Sequence, residues 1–468
     1  MEPLALTAAE VAASAGGEVV HGDRAAVLGR IVIDSRTLET GDCFVAIAGE
    51  RFDGHDFVSD VLARGAGGIV VSRDLPEEQQ RPAGAVVIRV DDTTEALQDV
   101  ARDVRRRSGA RVVAITGSAG KTTTKEVAAE FLATRHRVFR NKGNLNNHIG
   151  LPLSLLELRD RPEIAVVELG MNHPGEIRTL VGIAEPDVRV WTNVGDAHLG
   201  FFASADAIAD AKAEILDGAG ADDVLVANAN DPRIMRRAEW FLGRMVTFGI
   251  ETGADVSAAG VEQRGLAGTS AELRTPAGNA TLVTPLLGLG NLSNVLAATA
   301  VAIQFDIPVS QIVETAARLK PASHRGELLR LPGGVTLIDD SYNSSPAALR
   351  QALDILAASA GCARKVAVLG EMLELGTHAD ALHRESGRAA AAAGLDLLIA
   401  VGGPAARALA DAALTAGMRA DAVTHVATRE EAADVALARI RPGDLVLVKG
   451  SRGIGTDLVV ARLKAEFA

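Results

Sequence analysis

The sequence predicts an α/β protein of three domains, from its length, its alternating strand and helix patterns, and a Gly-rich turn after one strand. At 468 residues the chain is too long for one compact core, and about 150 residues per domain gives roughly three domains. Buried-type strands alternate with helical segments, as in parallel sheets covered by helices. We predict a small N-terminal domain over 1–108, a central domain over 109–320 and a C-terminal domain over 321–468.

The N-terminal domain is predicted from short apolar runs separated by turn residues. A short amphipathic helix opened by Thr7 precedes Val, Ile and Ala runs such as 30–33 and 84–90. A helix near 93–107 follows, and the polar run at 105–109 separates it from a strongly apolar strand. We place the first domain boundary at that polar run.

The other two domains show the strand and helix alternation most clearly. Buried-type strands are predicted at 112–115, 164–167, 188–191 and 224–227, and again at 335–338, 366–369, 397–401 and 445–448. Alternating segments between 256 and 287 predict a few antiparallel strands appended to the central sheet. After 321 the strands alternate with Ala-rich helices, which predicts a Rossmann-like third domain.

Charge, cysteine content and hydropathy exclude several classes of protein. A net charge of -12 argues against a broad nucleic-acid surface, because such a surface needs clustered Lys and Arg. Cys43 and Cys362 lie far apart without metal-ligand spacing, which fits a reducing compartment. The N-terminus lacks the basic start of a signal peptide, and polar and turn residues interrupt the most apolar stretch, 389–410. We therefore predict a cytoplasmic protein without membrane insertion.

The strongest functional signal is a strand that runs into a Gly-rich turn and then a helix between Arg111 and Lys125. The turn reads Gly117-Ser-Ala-Gly-Lys-Thr-Thr123, a shorter variant of the usual phosphate-binding loop. Its backbone N–H groups are suited to phosphate, Lys121 to the β- and γ-phosphate charge, and the Thr122 hydroxyl to Mg²⁺. These features predict ATP as ligand and a central domain like that of P-loop ATPases. The alternative is a structural Gly-rich turn with a chance Lys-Thr pair.

Further motifs follow this loop in order along the chain. They are Gly143-Asn-Leu-Asn-Asn-His-Ile-Gly-Leu-Pro152, Val167-Glu-Leu-Gly-Met-Asn172, Thr192-Asn-Val-Gly-Asp-Ala-His-Leu199, Ala211-Lys-Ala-Glu-Ile215 and Asp339-Asp-Ser-Tyr-Asn-Ser-Ser-Pro346. Others are Val368-Leu-Gly-Glu-Met-Leu-Glu-Leu-Gly376, Val448-Lys-Gly-Ser-Arg452, Asp34-Ser-Arg36 and Phe44-Val-Ala-Ile-Ala-Gly-Glu-Arg-Phe-Asp-Gly-His-Asp-Phe57. The loop alone resembles those of the Mur ligases and folylpolyglutamate synthetases, whereas the whole series resembles the Mur ligases over essentially the entire chain.

Within that family, the Asn-rich, Asp-Asp-Ser-Tyr-Asn and Gly-Glu-Met-Leu-Glu-Leu-Gly motifs resemble the branch that adds D-alanyl-D-alanine to UDP-N-acetylmuramoyl-tripeptide. The branch that adds the third residue carries Asp-Asn-Pro-Arg in its last domain, and this chain has no such run. Three alternatives stay open at this point: that third-residue ligase, a folylpolyglutamate synthetase, and a nucleotide-binding scaffold without catalysis. The first-domain matches count against the synthetase, and two apparent metal positions count against the scaffold.

The resemblance implies that ATP phosphorylates a carboxylate and that an amine then attacks the acyl phosphate. It assigns two Mg²⁺ ions to Thr122, Glu168, His198 and a carbamylated Lys212. With Lys121 and Arg325, the last three form the predicted catalytic set. Taken singly, Glu168 also fits a capping acid, His198 a core histidine and Lys212 an exposed lysine paired with acids.

The resemblance also implies an ATP site completed by the C-terminal domain. The predicted ATP-binding residues are Thr116, Gly117, Ser118, Ala119, Gly120, Lys121, Thr122, Thr123, Asn291, Asn294, Arg325, Asp340 and Asn343. Asn291 and Asn294 match asparagines that hold the base, although Gly290 stands where the family has His. Capping of the following helix is the alternative for Asn294, and surface ion pairing for Arg325. Residues from two domains around one nucleotide imply domain closure.

The substrate residues are predicted in two polar segments. Ser35, Arg36, Gly49, Asp53 and His55 resemble the family's uridine-diphosphate pocket. Asn144, Asn146, Asn147 and His148 suit sugar and peptide, because amide side chains both donate and accept hydrogen bonds. A polar loop without substrate contact is the alternative for these four.

Overall fold

The computed structural model describes residues 2–49, 51–76, 79, 83–195 and 199–468. The chain forms two compact units, each described separately below. Unit 1 comprises Met1–Ala114 and His136–Val188, and unit 2 comprises Ile115–Arg135 and Arg189–Ala468. Our predicted boundaries after 108 and 320 divide the chain differently and stay predictions.

Unit 1 contains a five-stranded sheet that is parallel except at one edge. Its order is Glu18–His21, Val86–Arg89, Gly68–Val71, Cys43–Val45 and Ile31–Val32. Only Glu18–His21 is antiparallel to its neighbour. One face packs on the helix Val58–Ala63 through Phe44, Val58, Val61 and Ile69.

The remaining elements of unit 1 are helices and short strand pairs. The helices are Ala8–Ser14, Thr93–Ser108, Gly150–Leu156 and Glu176–Ala184. Thr7 opens the first, as predicted, and the structure adds a capping box with Glu10; Gly109 ends the second in a left-handed conformation. Leu6–Thr7 pairs antiparallel with Val27–Leu28, and Val138–Arg140 pairs parallel with Ile164–Glu168.

The first part of unit 2 is a mixed sheet with helices. Val188–Trp191, Val224–Asn228, Arg244–Ile250, Val256–Gln263, Thr269–Thr275 and Gly278–Thr284 are neighbours in chain order. The pairing is parallel up to Val256–Gln263, and the last two strands are antiparallel, as predicted for 256–287. The helices are Lys121–Leu132, Ala205–Ala213, Pro232–Ala238, Gly288–Ile303 and Val309–Ala316.

The second part of unit 2 is a six-stranded sheet covered on both faces. Its order is Glu327–Arg330, Thr336–Asp340, Asp444–Lys449, Arg364–Gly370, Leu397–Val401 and Val423–Val426. Only the first strand is antiparallel. The covering helices are Pro346–Ala358, Ala379–Ala392, Pro404–Thr415, Arg429–Arg439 and Asp457–Glu466.

The predicted fold class is confirmed, because parallel sheets with alternating helices make up most of both units. The strand Arg111–Thr116 begins in unit 1 and ends in unit 2, where the Gly-rich turn follows its carboxyl end. That edge of a parallel sheet is where α/β proteins place their ligand sites. Within the described residues, no helix is long and apolar enough to span a membrane.

Candidate active site

The Gly-rich turn of residues 117–123, here called the phosphate turn, is held in shape by the segment after the strand Val188–Trp191. The Thr192 hydroxyl donates to the Ala119 carbonyl at 2.7 Å, and the Asn193 side chain accepts from the Ala119 N–H at 2.9 Å. Gly117 has φ +151°, and a Cβ there would lie 1.9 Å from Thr192 Oγ1. Only glycine therefore fits at 117, and contacts within the protein hold the turn in shape.

Lys121 and Thr122 begin the helix Lys121–Leu132 directly after this turn. The Lys121 ammonium donates to the Gly117 carbonyl at 2.9 Å, which folds the side chain back over the turn. Backbone N–H groups at the start of a helix attract anions, and the nearby ammonium adds positive charge. The turn thus has the donors that a polyphosphate needs.

Arg325 reaches the same helix start from a distant part of the sequence. Its guanidinium donates to the Thr122 hydroxyl at 3.4 Å and lies 4.1 Å from the Tyr342 ring centre. Arg325 has no acidic partner in the part of the chain that the structure describes, so surface ion pairing does not account for it. Nδ1 of the preceding residue, His324, lies 2.8 Å from Oδ2 of Asp339, a fully buried carboxyl group.

Asn294 also contacts the turn. It lies inside the helix Gly288–Ile303 and therefore does not cap it, so that alternative was wrong. Its side-chain oxygen accepts from the Thr124 hydroxyl at 3.3 Å, and a Cβ on Gly120 would lie 2.2 Å from that oxygen. Asn291 donates to the Leu287 carbonyl at 2.9 Å. Asn294 therefore ties the phosphate turn to the helix, and base contact by either asparagine stays a prediction.

Gly290, the departure from the family pattern, lies where another side chain fills the space. A Cβ at Gly290 would lie 2.3 Å from Oε1 of Gln351, which belongs to the helix Pro346–Ala358. A side chain at position 290 would require the Gln351 side chain to move.

Asp340 and Asn343 are joined by a lysine to which sequence reasoning gave no role. The buried Lys449 ammonium donates to Asp340 Oδ2 at 2.6 Å and to the Asn343 carbonyl at 3.0 Å. Lys449 belongs to Val448-Lys-Gly-Ser-Arg452, one of the motifs that carry the family resemblance. Lys449 thus fixes the loop after the strand Thr336–Asp340, and nucleotide contact by Asp340 and Asn343 stays a prediction.

The predicted metal ligands fall in both units. In unit 1, Glu168 is buried at a strand end, and Asn146 donates to its Oε1 at 2.9 Å. Asn141, which the sequence argument missed, accepts from the Glu168 N–H at 3.1 Å. In unit 2, Lys212 is only 1% exposed, so the exposed-lysine alternative was wrong. His198 lies outside the described residues.

The described residues contain no cluster of three or more His, Cys, Asp or Glu side chains placed to hold a metal ion. Mg²⁺ in nucleotide sites, however, takes oxygen ligands and usually needs only one or two carboxylates beside substrate phosphates. A buried carboxylate at Glu168 and a hydroxyl at Thr122 have that ligand chemistry. An unmodified Lys212 does not, because an ammonium repels a cation.

Three predicted uridine-diphosphate residues of unit 1, Arg36, Asp53 and His55, bind side chains close to them in sequence. Arg36 makes a two-point contact with Asp34, whose pKa the guanidinium hydrogen bonds lower to about 2. His55 is buried between Asp53, at 2.6 Å from Nδ1, and the Ser72 N–H, at 3.0 Å from Nε2. Since the Ser72 N–H donates, Nε2 accepts and Nδ1 carries the proton toward Asp53.

The other predicted substrate residues of unit 1 form hydrogen bonds within the protein, mainly through backbone atoms. The Ser35 carbonyl accepts from Arg64 at 3.0 Å, and the Gly49 N–H donates to the Phe52 carbonyl at 2.9 Å. Asn147 accepts from the Gly150 N–H at 2.8 Å, which satisfies the helix start. Asn144 and His148 are exposed. Substrate contact by all of these residues stays a prediction.

Three family models match successive parts of the chain. They are Mur ligase family, catalytic domain, at 28–105, Mur ligase middle domain, at 115–302, and Mur ligase, glutamate ligase domain, at 324–452. A UDP-N-acetylmuramoyl-tripeptide--D-alanyl-D-alanine ligase of Bacillus subtilis is 34% identical over 95% of this chain and 93% of the relative. The same-named ligase of Escherichia coli is 35% identical over 85% of this chain and 86% of its own length. The chain belongs to the Mur ligase family of ATP-dependent ligases.

Solved structures agree with this membership. MurF from Acinetobacter baumannii has a TM-score of 0.88 at 32% identity and covers 99% of this chain and 100% of its own. MurF ligase from Thermotoga maritima in complex with ADP has a TM-score of 0.82 at 30% identity, covering 94% and 97%. A folylpolyglutamate synthase of Mycobacterium tuberculosis shares the fold alone, at 18% identity and a TM-score of 0.63.

Proposed function

We propose that this protein joins D-alanyl-D-alanine to UDP-N-acetylmuramoyl-tripeptide, converting ATP to ADP and phosphate, in peptidoglycan precursor synthesis. The observation that carries the chemistry is the meeting of three distant segments at the phosphate turn of unit 2. Thr192 and Asn193, Asn294, and Arg325 all contact residues 117–124. The identity of the two joined substrates is supported by same-named relatives that match nearly the whole chain.

The reaction proceeds in two displacements. A carboxylate oxygen of the tripeptide attacks the γ-phosphorus of ATP, ADP leaves, and an acyl phosphate forms. The amine of D-alanyl-D-alanine then attacks the acyl carbon, phosphate leaves with the electrons of the broken C–O bond, and the amine loses a proton. Two anionic reactants must meet in the first step, so the site has to supply fixed positive charge.

This chain supplies that charge from both sides of the turn. The N–H groups between Gly117 and Thr122 bind the β- and γ-phosphates, and Lys121 turns from the Gly117 carbonyl to the phosphate oxygens. Arg325, held flat by Tyr342, neutralises charge at the γ-phosphate from the other side. Arg325 lies about 200 residues beyond the turn in sequence. The site is therefore complete only when the segment that carries Arg325 packs against the turn.

Thr122 and Glu168 are each proposed as Mg²⁺ ligands, and His198 is proposed as a ligand of a second ion. The metal supplies charge neutralisation and alignment of the γ-phosphate. Asn146 donates to one Glu168 oxygen at 2.9 Å and so helps to orient the carboxylate.

Lys212 is proposed to act as a carbamate. Carbamylation needs a neutral amine, and burial of an amine disfavours its charged form. Lys212 is buried, with its side chain 1% exposed, and addition of CO₂ would turn it into an anionic oxygen ligand.

Asn291 and Asn294 are proposed to lie at the base, and Asp340 and Asn343 at ribose and phosphate. Ser35, Arg36, Gly49, Asp53 and His55 are proposed to form the uridine-diphosphate pocket, with Asn144, Asn146, Asn147 and His148 toward sugar and peptide. We place the reaction in the cytoplasm, where ATP is made and where Cys43 and Cys362 stay as the free thiols seen here.

The direct test measures ADP release from ATP with UDP-N-acetylmuramoyl-tripeptide and a panel of amine acceptors. D-alanyl-D-alanine is expected to give turnover at least about tenfold above L-alanyl-L-alanine, a free diamino acid or glutamate. Equal ADP release without any acceptor, or a preference for the diamino acid, would overturn the proposed reaction. Omission of the nucleotide-linked tripeptide is the matched control.

A further inference from the structure

Two guanidinium groups lie over the ring of Tyr342, the one tyrosine in the chain. Cζ of Arg325 lies 4.1 Å from the ring centre, and Cζ of Arg452 lies 5.8 Å from the same point. The two guanidinium carbons are therefore no more than about 10 Å apart. Arg325 also contacts the phosphate turn through Thr122, whereas Arg452 has no part in the proposed phosphate transfer.

The loops that carry Tyr342 and Arg452 follow neighbouring strands of the six-stranded sheet. Tyr342 comes shortly after the strand Thr336–Asp340, and Arg452 comes shortly after the strand Asp444–Lys449. The two strands pair in parallel, so both loops leave the same edge of the sheet. The carboxyl ends of neighbouring parallel strands are where α/β proteins bind their ligands. Tyr342 and Arg452 thus share a position that is typical of a binding site.

A buried lysine joins these two loops. The Lys449 ammonium donates to Asp340 Oδ2 at 2.6 Å and to the Asn343 carbonyl at 3.0 Å. Tyr342 lies between Asp340 and Asn343 in sequence, so both of its flanks are fixed to the strand that leads to Arg452. The contact between the ring and the second guanidinium therefore follows from buried structure and not from a chance meeting of two surface side chains.

The backbone before Arg452 is buried, whereas the Arg452 side chain reaches solvent. Ser451 is 4% exposed, its N–H donates to the Glu371 carbonyl at 3.3 Å, and its hydroxyl accepts from the Leu373 N–H at 2.9 Å. The Arg452 side chain is 61% exposed. Its base is thus held in place while its guanidinium is accessible to a ligand.

Arg452 has an acidic partner that can be replaced. Its Nη1 lies 3.0 Å from Oδ2 of Asp457, a side chain that is 32% exposed. Ion pairs that water reaches stabilise a fold little, because solvent and salt screen the two charges. A guanidinium has five N–H donors, so a second carboxylate can share Arg452 with Asp457 or displace it.

The proposed reaction brings a negatively charged acceptor to a negatively charged centre. D-alanyl-D-alanine carries a carboxylate at the end opposite its attacking amine, and the acyl phosphate repels that charge. A fixed cation at the carboxylate end offsets the repulsion. Two residues of extended chain span about 7 Å. An amine beside the phosphate bound by Arg325 is therefore compatible with a carboxylate at Arg452.

We propose that Arg452 binds the terminal carboxylate of the incoming dipeptide, while Arg325 binds the phosphate group that the amine displaces. The inference rests on the proposed function, because it names the part of the acceptor that is recognised. A guanidinium can bind a carboxylate at two points, so an acceptor without that carboxylate loses these contacts. A single amino acid spans only about 3.5 Å and does not reach Arg452 from the same amine position. Arg452 thus favours a dipeptide over an amino acid.

The test changes the protein and the acceptor separately and together. Arg452→Gln removes the guanidinium charge, and D-alanyl-D-alaninamide removes the acceptor's carboxylate charge. The matched control is Arg462→Gln, at another partly exposed arginine that is paired with an aspartate, Asp434. For each full-length protein, kcat and KM are measured for both acceptors, for ATP and for UDP-N-acetylmuramoyl-tripeptide, beside thermal unfolding. Arg452→Lys, which keeps the charge but not the two-point geometry, is the conservative variant.

We expect kcat/KM of the wild-type protein and of Arg462→Gln to be at least about tenfold lower for the amide than for D-alanyl-D-alanine. In Arg452→Gln, kcat/KM for D-alanyl-D-alanine should fall about as far, through KM, and the amide should cause little further loss, because both changes remove one interaction. Arg452→Lys should be intermediate. KM for ATP and for the tripeptide should stay within about twofold of wild type.

An undiminished preference for the acid over the amide in Arg452→Gln would overturn the inference. Equal losses with both acceptors and a raised KM for ATP would also overturn it, because Arg452 would then act on the nucleotide. Wild-type protein that releases ADP with another acceptor but not with D-alanyl-D-alanine would instead refute the proposed function. The acid and amide forms of that other acceptor would then test Arg452 in the same way.

Discussion

The predicted ligand-binding residues of unit 2 and unit 1 differ in what their side chains contact. In unit 2, Asn294 and Arg325 come from distant parts of the sequence and contact one phosphate turn. In unit 1, Arg36 binds Asp34 two residues away, and His55 binds Asp53 at the same separation. In unit 2 the contacts thus bring distant segments to one turn, whereas in unit 1 they fix the shape of loops that are local in sequence. The largest effects on turnover should therefore come from unit 2.

The largest expected effect is that of Lys121→Ala. The variant removes the ammonium that lies over the turn, while Thr192 and Asn193 still hold the backbone. Turnover should fall at least about a hundredfold, because a charge that stabilises the transferring phosphoryl group is lost. The measurement is ADP release beside a thermal unfolding curve. Lys142→Ala, at an exposed lysine of unit 1, is the control, and near-normal rates in both would mean that the turn does not bind ATP.

A loss of about the same order is expected for Lys212→Ala. Alanine removes the proposed carbamate and with it an anionic metal ligand. A short-chain carboxylic acid added to this variant should restore part of the rate by supplying carboxylate oxygens in the vacated space. Mass spectrometry under CO₂ and assays with CO₂ depleted check the modification itself. Full activity of the variant without any added acid would leave Lys212 as a buried structural lysine.

The pair Arg325→Ala and Arg36→Ala tests the difference between the units directly. Arg325→Ala should lower kcat about tenfold to a hundredfold, since the guanidinium acts on the charge that develops at phosphate. Arg36→Ala should change kcat little and raise KM for the nucleotide-linked tripeptide by at most about tenfold, because its charge is already paired with Asp34. Arg318→Ala, an exposed arginine paired with Glu314, is the control. A larger kcat loss at Arg36 than at Arg325 would reverse the comparison.

Acidification should produce the smallest effect and should also separate the units. Burial lowers the pKa of His383, so the folded protein binds this proton less readily than the unfolded chain. Its stabilising contribution is complete above the ordinary histidine pKa of about 6.5 and is lost as the pH falls through the lower folded value. The Asp34 pKa of about 2 keeps its pair with Arg36 intact over that range. His383 accepts from the Met372 N–H, and a protonated imidazole loses this acceptor. Hydrogen exchange near pH 5 should therefore rise around residues 371–376 and stay unchanged around residues 34–36.

Local patterns predicted much of the fold because the signals were short in range. Three predicted features depend only on neighbours in sequence: the apolar strand before Gly117, the helix start at Thr7 and the alternating strands at 256–287. The sequence motifs also identified Lys121 and Arg325, although their proximity to one turn is visible only in three dimensions.

Long-range packing explains what the sequence argument missed. Lys449, Asn141 and His383 act on residues that are distant or unremarkable in sequence, so no spacing rule indicates them. Gly290 was recognised as a departure, yet its neighbour Gln351 belongs to another helix and could not be identified from sequence. The exposed-lysine alternative for Lys212 stayed open in the sequence because the Ala-rich pattern around it does not reveal which face is covered.

The central claim is that the tripeptide carboxylate is phosphorylated before the amide forms. It is tested most directly with UDP-N-acetylmuramoyl-tripeptide carrying ¹⁸O in both oxygens of the reacting carboxylate, incubated with ATP, Mg²⁺ and D-alanyl-D-alanine. The account predicts that one ¹⁸O atom appears in inorganic phosphate for each amide bond formed, because the acyl C–O bond breaks as the amine attacks. Amide formation with unlabelled phosphate would contradict it.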